Sequence, residues 1–327
     1  MSFPFGVSFD GFATVRDAID TAKRAEACGA QSLWIAEHMG YRESFVTATA
    51  MGLATAKARI FPTSVSPYLR HPTPTAMAIA TLAEMLPGRY GIAIGVGNPL
   101  YLRESGREVD KPVKALRDYV AALRALLRGE SVQQEGHTFT LRGARLAFTP
   151  EPPPPVYLTP MGPQMLRLSG EIGDGLVLSA GLTPAFVAKS IDIAADGARA
   201  KGRDAAQVRK TAYIYFIGGG PLSEQRLKIR QKLAFLFRNE NIRENIASSG
   251  LPIDQEAIMA ANARRDAAAA LSLVPEEAAD RFAIVGDAAH CRRSIDAYLG
   301  AGLDELILSL AGTAEDRMRS LDVVASL

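Results

Sequence analysis

One alternation runs through the whole chain: a short apolar run, then a stretch with the spacing and punctuation of a helix, eight times over. Residues 5–9, 32–36, 60–66, 90–96, 156–159, 176–179, 211–217 and 305–310 read as strands. The helices that follow them are predicted over 14–28, 45–57, 74–86, 112–128, 163–172, 184–202, 287–299 and 313–324. Thr14 can cap the first, with Asp17 three residues on and Gly29 at its stop. Buried strands alternating with helices predict a parallel sheet covered by helices. Eight such units predict an α/β fold, a (β/α)8 TIM barrel whose site lies at the C-terminal ends of the strands. Residues 131–146 alternate around Gly136 and Gly143 and read as an inserted hairpin. Residues 221–282, rich in Ala, Arg and Glu, are too long for a connection. They read as a helical insertion between strands 7 and 8, a candidate lid. Residues 1–327 are thus expected to form a single barrel domain.

Composition narrows the function. With 48% hydrophobic and 22% charged residues, the chain can build a sizeable core. Lys+Arg 37 against Asp+Glu 35 leaves a net charge of +2, which points to neither nucleic acid nor an anionic membrane. No apolar run reaches the roughly 18 residues of a membrane span, and the opening residues lack a basic stretch before an apolar one. Cys28 and Cys291 stand far apart without a CxxC pair, as in a protein of the reducing cytoplasm. His38, His71, His137 and His290 show no HxH or HExxH spacing, so no metal site is expected. There is no lysine in the middle of a predicted strand and no GxSxG elbow. A barrel lacking these groups leaves the hard chemistry to an organic cofactor.

The barrel rule turns the remaining motifs into a map. His38 follows strand two, where a histidine suits acid–base or hydrogen-bond work. Ser64-Val65-Ser66 and Tyr68-Leu69-Arg70 follow strand three, although the prolines around them also suit a merely rigid loop. Gly95-Val96-Gly97-Asn98 follows strand four and allows close backbone approach. Met161-Gly162-Pro163-Gln164 opens a helix after strand five, whose free N–H groups would seat a phosphate, or simply start a helix. Gly218-Gly219-Gly220 after strand seven is a rival phosphate loop, or a hinge of the insertion.

These residues resemble the bacterial luciferase-like superfamily, which holds FMN-dependent monooxygenases and deazaflavin-dependent oxidoreductases on one barrel fold. The resemblance rests on Ala25-Glu26 to Gly29, the run Ser32 to His38, Tyr68 to Pro72, and Gly88-Arg89 with Gly95-Val96-Gly97. Gly136 to Leu141, Ala144-Arg145-Leu146, Pro155 to Tyr157, Gly162-Pro163 and Gly170 to Gly175 extend it. It implies that His38 faces the flavin ring or substrate and that a non-prolyl cis peptide lies at Ser64-Val65 behind the ring. It further implies that Ser66 and Asn98 contact the ring or its ribityl chain, and that Met161, Gly162 and Gln164 seat the phosphate. Tyr68 and Arg70 would shape the substrate side.

Deazaflavin-dependent sugar-phosphate dehydrogenases of the superfamily place a Glu proton donor where this chain has Pro99-Leu100. FMN-type members often carry Glu before the strand-two His, as Glu37 does here. Both points favour a two-component monooxygenase that takes reduced FMN from a partner flavin reductase and uses O2 to oxygenate a small organic substrate. Met161-Gly162-Pro163 and the Gly170 to Gly175 run look instead like deazaflavin reductases. The alternatives are therefore hydride transfer with the deazaflavin coenzyme F420, and a non-catalytic flavin-binding protein. Family members commonly pair through helices beside strands two and three, which implies a homodimer.

Overall fold

A computed structural model describes residues 3–327, apart from the side chains of residues 99 and 100. Eight parallel strands form its barrel: β1 (Phe5–Phe9), β2 (Ser32–Ala36), β3 (Arg59–Thr63), β4 (Ile92–Ile94), β7 (Val156–Leu158), β8 (Gly175–Leu178), β9 (Arg209–Gly218) and β11 (Glu305–Leu310). The antiparallel hairpin β5 (Val132–Glu135) and β6 (Thr140–Ala144) stands outside it, and β10 (Ile284–Gly286) adds to β9. Strand order is β3-β2-β1-β11-β9-β8-β7-β4, and bridges Ile60–Tyr90 and Val65–Ile94 join β3 to β4, closing the ring.

Helices α1 (Val15–Ala27), α2 (Ser44–Ala54), α3 (Pro72–Met85), α4 (Pro99–Glu104), α5 (Pro112–Leu127), α6 (Pro163–Ile172) and α7 (Pro184–Ala200) cover the first part of the barrel. The segment after β9 holds α8 (Leu222–Leu236), α9 (Arg243–Ser248), α10 (Gln255–Ala263), α11 (Ala267–Ser272) and α12 (Glu277–Phe282). Helices α13 (Ala288–Gly300) and α14 (Ala314–Ala325) complete the outer layer. The starts follow from capping chemistry. Thr14, Thr183 and Thr313 each accept a backbone N–H with the side chain, and Thr313 forms a full capping box with Asp316.

Inside the ring, Trp34 stacks on Phe61 (centroids 4.1 Å apart, planes 8° off parallel), with Tyr157, Val177 and Ile307 around them. Beneath them sits the fully buried Glu305. Its carboxylate takes Arg59 at 3.1 Å, Arg209 at 3.0 Å and the Ser32 hydroxyl, and Ser32 in turn accepts the Trp34 indole N–H at 2.6 Å. This polar floor is assembled from the starts of four strands at the N-terminal end of the barrel and leaves Arg209 Nε without a partner. Between strands and helices the core is continuous and apolar. Helices α6 and α7 touch backbone to backbone: a Cβ on Gly170 would come 1.8 Å from the Ala194 carbonyl oxygen. That contact fixes how α6 presents its N-terminus to the rim.

Several boundaries differ from the sequence-based expectation. The third strand stops at Thr63, and Val65 resumes pairing alone. The non-prolyl cis peptide joins Thr63 to Ser64, one bond before the expected Ser64-Val65. Beyond it, Val65 pairs both backbone groups with the β4 segment, giving its N–H to Ala93 and accepting from Gly95. Helix α3 begins at Pro72 rather than Pro74, because the His71 ring accepts the Thr73 N–H at 3.3 Å. Strand β10 and the short α4 carry too few residues to show a periodic pattern.

The insertion is pinned to the barrel by two side-chain amides. Gln225 gives its N–H groups to the carbonyls of Gly219 and Gly220 and accepts from Gly286 N–H. The fully buried Asn245 accepts from Thr183 N–H and donates to the Gly181 carbonyl.

Candidate active site

The loops after the strands converge at the C-terminal rim. His38, two residues beyond β2, contacts the carbonyl oxygen of Asp10 through Nδ1 at 2.9 Å. A carbonyl only accepts, so Nδ1 carries the proton and Nε2 of the neutral ring is left as an acceptor. Aromatic rings from the loops after β1 and β2 and from helix α4 surround it. Phe12 stacks on His38 at 5.5 Å, Tyr101 lies at 5.7 Å and Tyr41 at 6.5 Å between centroids. Phe12 and Tyr41 remain about half exposed, giving a wet aromatic rim with a single imidazole set in it.

Behind His38, Glu37 is held by Arg70 Nε at 2.5 Å and by the Ser44 hydroxyl at 3.3 Å. Burial pushes the Glu37 carboxyl above its usual range, with Arg70 opposing the shift. The Arg70 guanidinium also pairs with Glu43, which caps α2, and lies 4.8 Å over the Phe45 ring. Arg70 is thus spent on bracing the His38 loop, and the structure does not bring it to the aromatic rim. Tyr68 is buried against Leu102 and Ala115 and gives its hydroxyl to the Asp110 carbonyl at 2.5 Å. It is a strut of the wall.

A second wall comes from β3, β4 and β7. The hydroxyls of Ser64 and Thr159 hydrogen-bond to each other, and a Cβ on Gly95 would lie 2.1 Å and 1.9 Å from their oxygens. Only glycine lets these three strand ends meet. Ser66 gives its hydroxyl to the Val96 carbonyl at 2.6 Å and accepts the Tyr68 N–H. Val65 is fully buried in the helix-facing core with both backbone groups used, so it contributes shape. Asn98 stands at the start of α4, its carbonyl accepting from Leu102 N–H. The Pro99-Leu100 departure falls on side chains outside the description.

Helix α6 starts at Gly162 (φ 79°, ψ 164°) with Pro163 in its first turn and no side chain capping it. Nothing stands within 4 Å of a Cβ built on Gly162. No side chain therefore takes up the N–H groups of its first turn, and exposed Met161 and Gln164 stand beside it. A small cleft of about 90 Å³ adjoins this helix start, lined by Leu178, Leu182 and Phe186 together with Asn241 and Ile242 of the insertion. The rival loop is already spent: Gly218 N–H goes to the Ser320 hydroxyl, and Gly219 N–H to the Gly286 carbonyl. Among the described residues, no three His, Cys, Asp or Glu side chains converge as metal ligands, and no helix is long and apolar enough to cross a membrane.

The rim thus gathers His38, Ser64, Ser66, Asn98, Met161, Gly162 and Gln164 on strand ends. Phe12, Tyr41, Tyr101, Thr159 and the Asp10 carbonyl escaped the sequence reading. Exposed aromatics just past strand ends were their signal, visible only once the loops are placed together.

Comparison with known proteins places this geometry. The chain is 28% identical over 304 residues to the 5,10-methylenetetrahydromethanopterin reductase of Methanolobus tindarius, covering 93% of both chains. It is 29% identical over 323 residues to the F420-dependent glucose-6-phosphate dehydrogenase of Rhodococcus erythropolis, covering 94% of this chain and 91% of the relative. The solved coenzyme F420-dependent tetrahydromethanopterin reductase of Methanopyrus kandleri superposes with a TM-score of 0.88 over 99% of this chain and 98% of that one, at 23% identity. The sequence profile of the luciferase-like monooxygenases matches residues 4–305, and the chain belongs to that family.

Proposed function

We propose that this protein is an oxidoreductase that moves a hydride between coenzyme F420 and a small organic substrate. The observation that carries this is similarity over more than nine-tenths of both chains to relatives named for F420-dependent dehydrogenation. It reverses the order drawn from the sequence, which put reduced FMN and O2 first. The residues fit such a cofactor. The uncapped α6 N-terminus leaves backbone N–H groups for a phosphate, and the close-packed strand ends at Ser64, Gly95 and Thr159 form a wall against which a ring system could lie.

When bound, F420 supplies a ring carbon that takes up or returns a hydride. The protein's part is to place the substrate and handle the proton. His38 Nε2 accepts the hydroxyl proton as an alcohol carbon loses hydride, and returns it when a carbonyl is reduced. The Asp10 carbonyl holds the ring in this tautomer and faces the Nδ1–H of the cation that forms. Ser66, Asn98, Met161, Gly162 and Gln164 hold the cofactor, and the insertion limits water above it.

Titrating cofactor-free protein separately with F420 and FMN decides between the readings. The expected result is F420 binding at least about tenfold tighter, a gap of about 1.4 kcal/mol. Tighter FMN binding with O2 uptake would overturn it in favour of the monooxygenase reading, to which a partner flavin reductase belongs. Cofactor binding with no turnover on any alcohol or carbonyl would leave a flavin-binding protein.

We also propose a homodimer through α2 and α3. Val46 and Leu53 are 67% and 68% exposed on one face of α2, and Met77 is 53% exposed on the neighbouring α3. Such an apolar stripe on adjacent helices suits a partner copy. Sedimentation is expected to give a dimer for the parent and a monomer for Leu53→Asp; a monomeric parent removes the proposal. The two free cysteines support a reducing, cytoplasmic location.

A further inference from the structure

We propose that Tyr215 is a specificity-determining residue of the barrel mouth: its hydroxyl donates a hydrogen bond to an uncharged oxygen of the substrate, a carbonyl, ether or alcohol oxygen. Strand β9 places it there. Side chains of a strand alternate between two faces. Thr211 and Tyr213 register with Glu305 and Ile307, which face the inside of the ring, and Tyr215 continues that face opposite Ser309 of β11. Tyr213 gives its hydroxyl to Thr63 at 3.3 Å, spanning the ring from β9 to β3. Tyr215 stands one pleat higher, roughly 7 Å nearer the C-terminal rim.

Barrel and insertion both hold this ring. A Cβ on Gly181, in the loop after β8, would lie 3.7 Å from its Cε2, and the Lys232 ammonium of α8 is 5.6 Å from its centroid. A phenol set this deep ordinarily has a hydrogen-bond partner. Tyr68, Tyr90 and Tyr298 donate to main-chain carbonyls, and Tyr119 and Tyr213 to threonine hydroxyls. Tyr157 has Arg59, and Tyr101 has Tyr41. The Tyr215 hydroxyl hydrogen-bonds to none of the described residues. Burial pushes its phenol up to about 12, so the group stays an O–H donor. The hydroxyls of Ser64, Ser66 and Thr159, on the wall across the mouth, are by contrast already used.

The neighbouring strands set the chemistry of its partner. Ser8 of β1 registers with Trp34 and Ser309 continues the face of Ile307, so both point inward, and both are half-buried like Tyr215. Above the Glu305 floor, the inward positions of β1, β9 and β11 carry no charge. The Lys232 cation lies over the ring face, where the π-electrons take up part of its charge. A carboxylate drawn in among hydroxyls would lose far more hydration than a neutral oxygen does. That the ligand is the substrate rests on the hydride-transfer reading; the unspent donor at the mouth does not.

The test compares the parent with Tyr215→Phe, both cofactor-free, using cyclohexanone, methylenecyclohexane and cyclohexanecarboxylate as probes. The variant keeps the ring between Gly181 and Lys232, so its urea midpoint should match the parent. Calorimetric titration is expected to find it binding cyclohexanone about three- to tenfold more weakly, with methylenecyclohexane unchanged. In infrared difference spectra, cyclohexanone labelled at the carbonyl should show a band lowered in frequency on the parent and unshifted on Tyr215→Phe. Equal losses for ketone and alkene, the same band on both proteins, or no ketone binding by the parent would overturn the assignment. A larger loss for the carboxylate than for the ketone would overturn the uncharged partner. Tyr215→Phe should bind F420 as the parent does; weaker binding would give the hydroxyl to the cofactor and overturn the assignment too. Failure of the parent to bind F420 would overturn the hydride-transfer reading alone, because the cofactor-free comparison still reports on Tyr215.

Discussion

Replacing His38 by Ala is expected to lower turnover by about 10²–10⁴-fold while cofactor affinity stays near that of the parent. The asymmetry follows from the geometry. His38 touches the Asp10 carbonyl and the aromatic rim, whereas the proposed phosphate seat is built from other residues, those at the start of α6. His38→Asn separates placement from proton transfer. Its amide N–H can still reach the Asp10 carbonyl, but the amide oxygen is too weak a base to hold a proton. Rapid-mixing kinetics with excess cofactor should therefore find His38→Asn as slow as His38→Ala. A His38→Ala protein turning over at the parent rate would remove His38 from the chemistry.

Glu305→Ala is expected to cost about 3 kcal/mol of stability, near the low end for a broken buried pair because both guanidiniums are one-third exposed. The fully buried carboxylate is the common partner of Arg59, Arg209 and Ser32. Its removal leaves two cations side by side at the floor of the barrel, and Arg209 Nε is already without a partner. Ser32 would also lose its acceptor, loosening the hydroxyl that holds the Trp34 indole. Urea unfolding followed by Trp34 fluorescence reads this directly, since the chain has a single tryptophan. Glu305→Gln should lose less, because an amide keeps an acceptor oxygen and the shape. An unchanged midpoint for Glu305→Ala would mean that packing alone seals the floor.

The barrel was legible because strands buried on both faces leave continuous apolar runs, and caps such as Thr14 and Thr313 mark helix starts in plain sequence. Where two signals competed, the sequence misled: Pro74 looks like a first-turn proline, yet the His71 ring starts α3 two residues earlier. The isomer of the Thr63–Ser64 bond has no trace in residue type, which is why it was expected one bond away. His38 could be found because it follows a buried strand directly. Its surroundings could not, since Phe12 follows β1 and Tyr101 lies on α4, and only the folded barrel brings them beside His38 and Tyr41. Arg70 and Tyr68 lie in the expected segment, but side-chain direction turns them towards Glu37 and the Asp110 carbonyl. The three glycines after β9 show the same limit: sequence displays donors without saying whether they are already used.

The two amides that pin the insertion speak to how such a protein diversifies. Gln225 and Asn245 meet only backbone groups of the barrel, at Gly181, Thr183, Gly219, Gly220 and Gly286. Four of those five positions are glycines at positive φ, and a Cβ on Gly181 would lie 2.3 Å from Leu236 of α8, so this joint demands that the barrel's half stay nearly bare of side chains. Barrel and insertion are therefore matched to each other, and because the pairs Lys228–Asp316 and Lys189–Glu244 cross the same boundary, a grafted insertion would dock only on a barrel that offers the same glycines and charges.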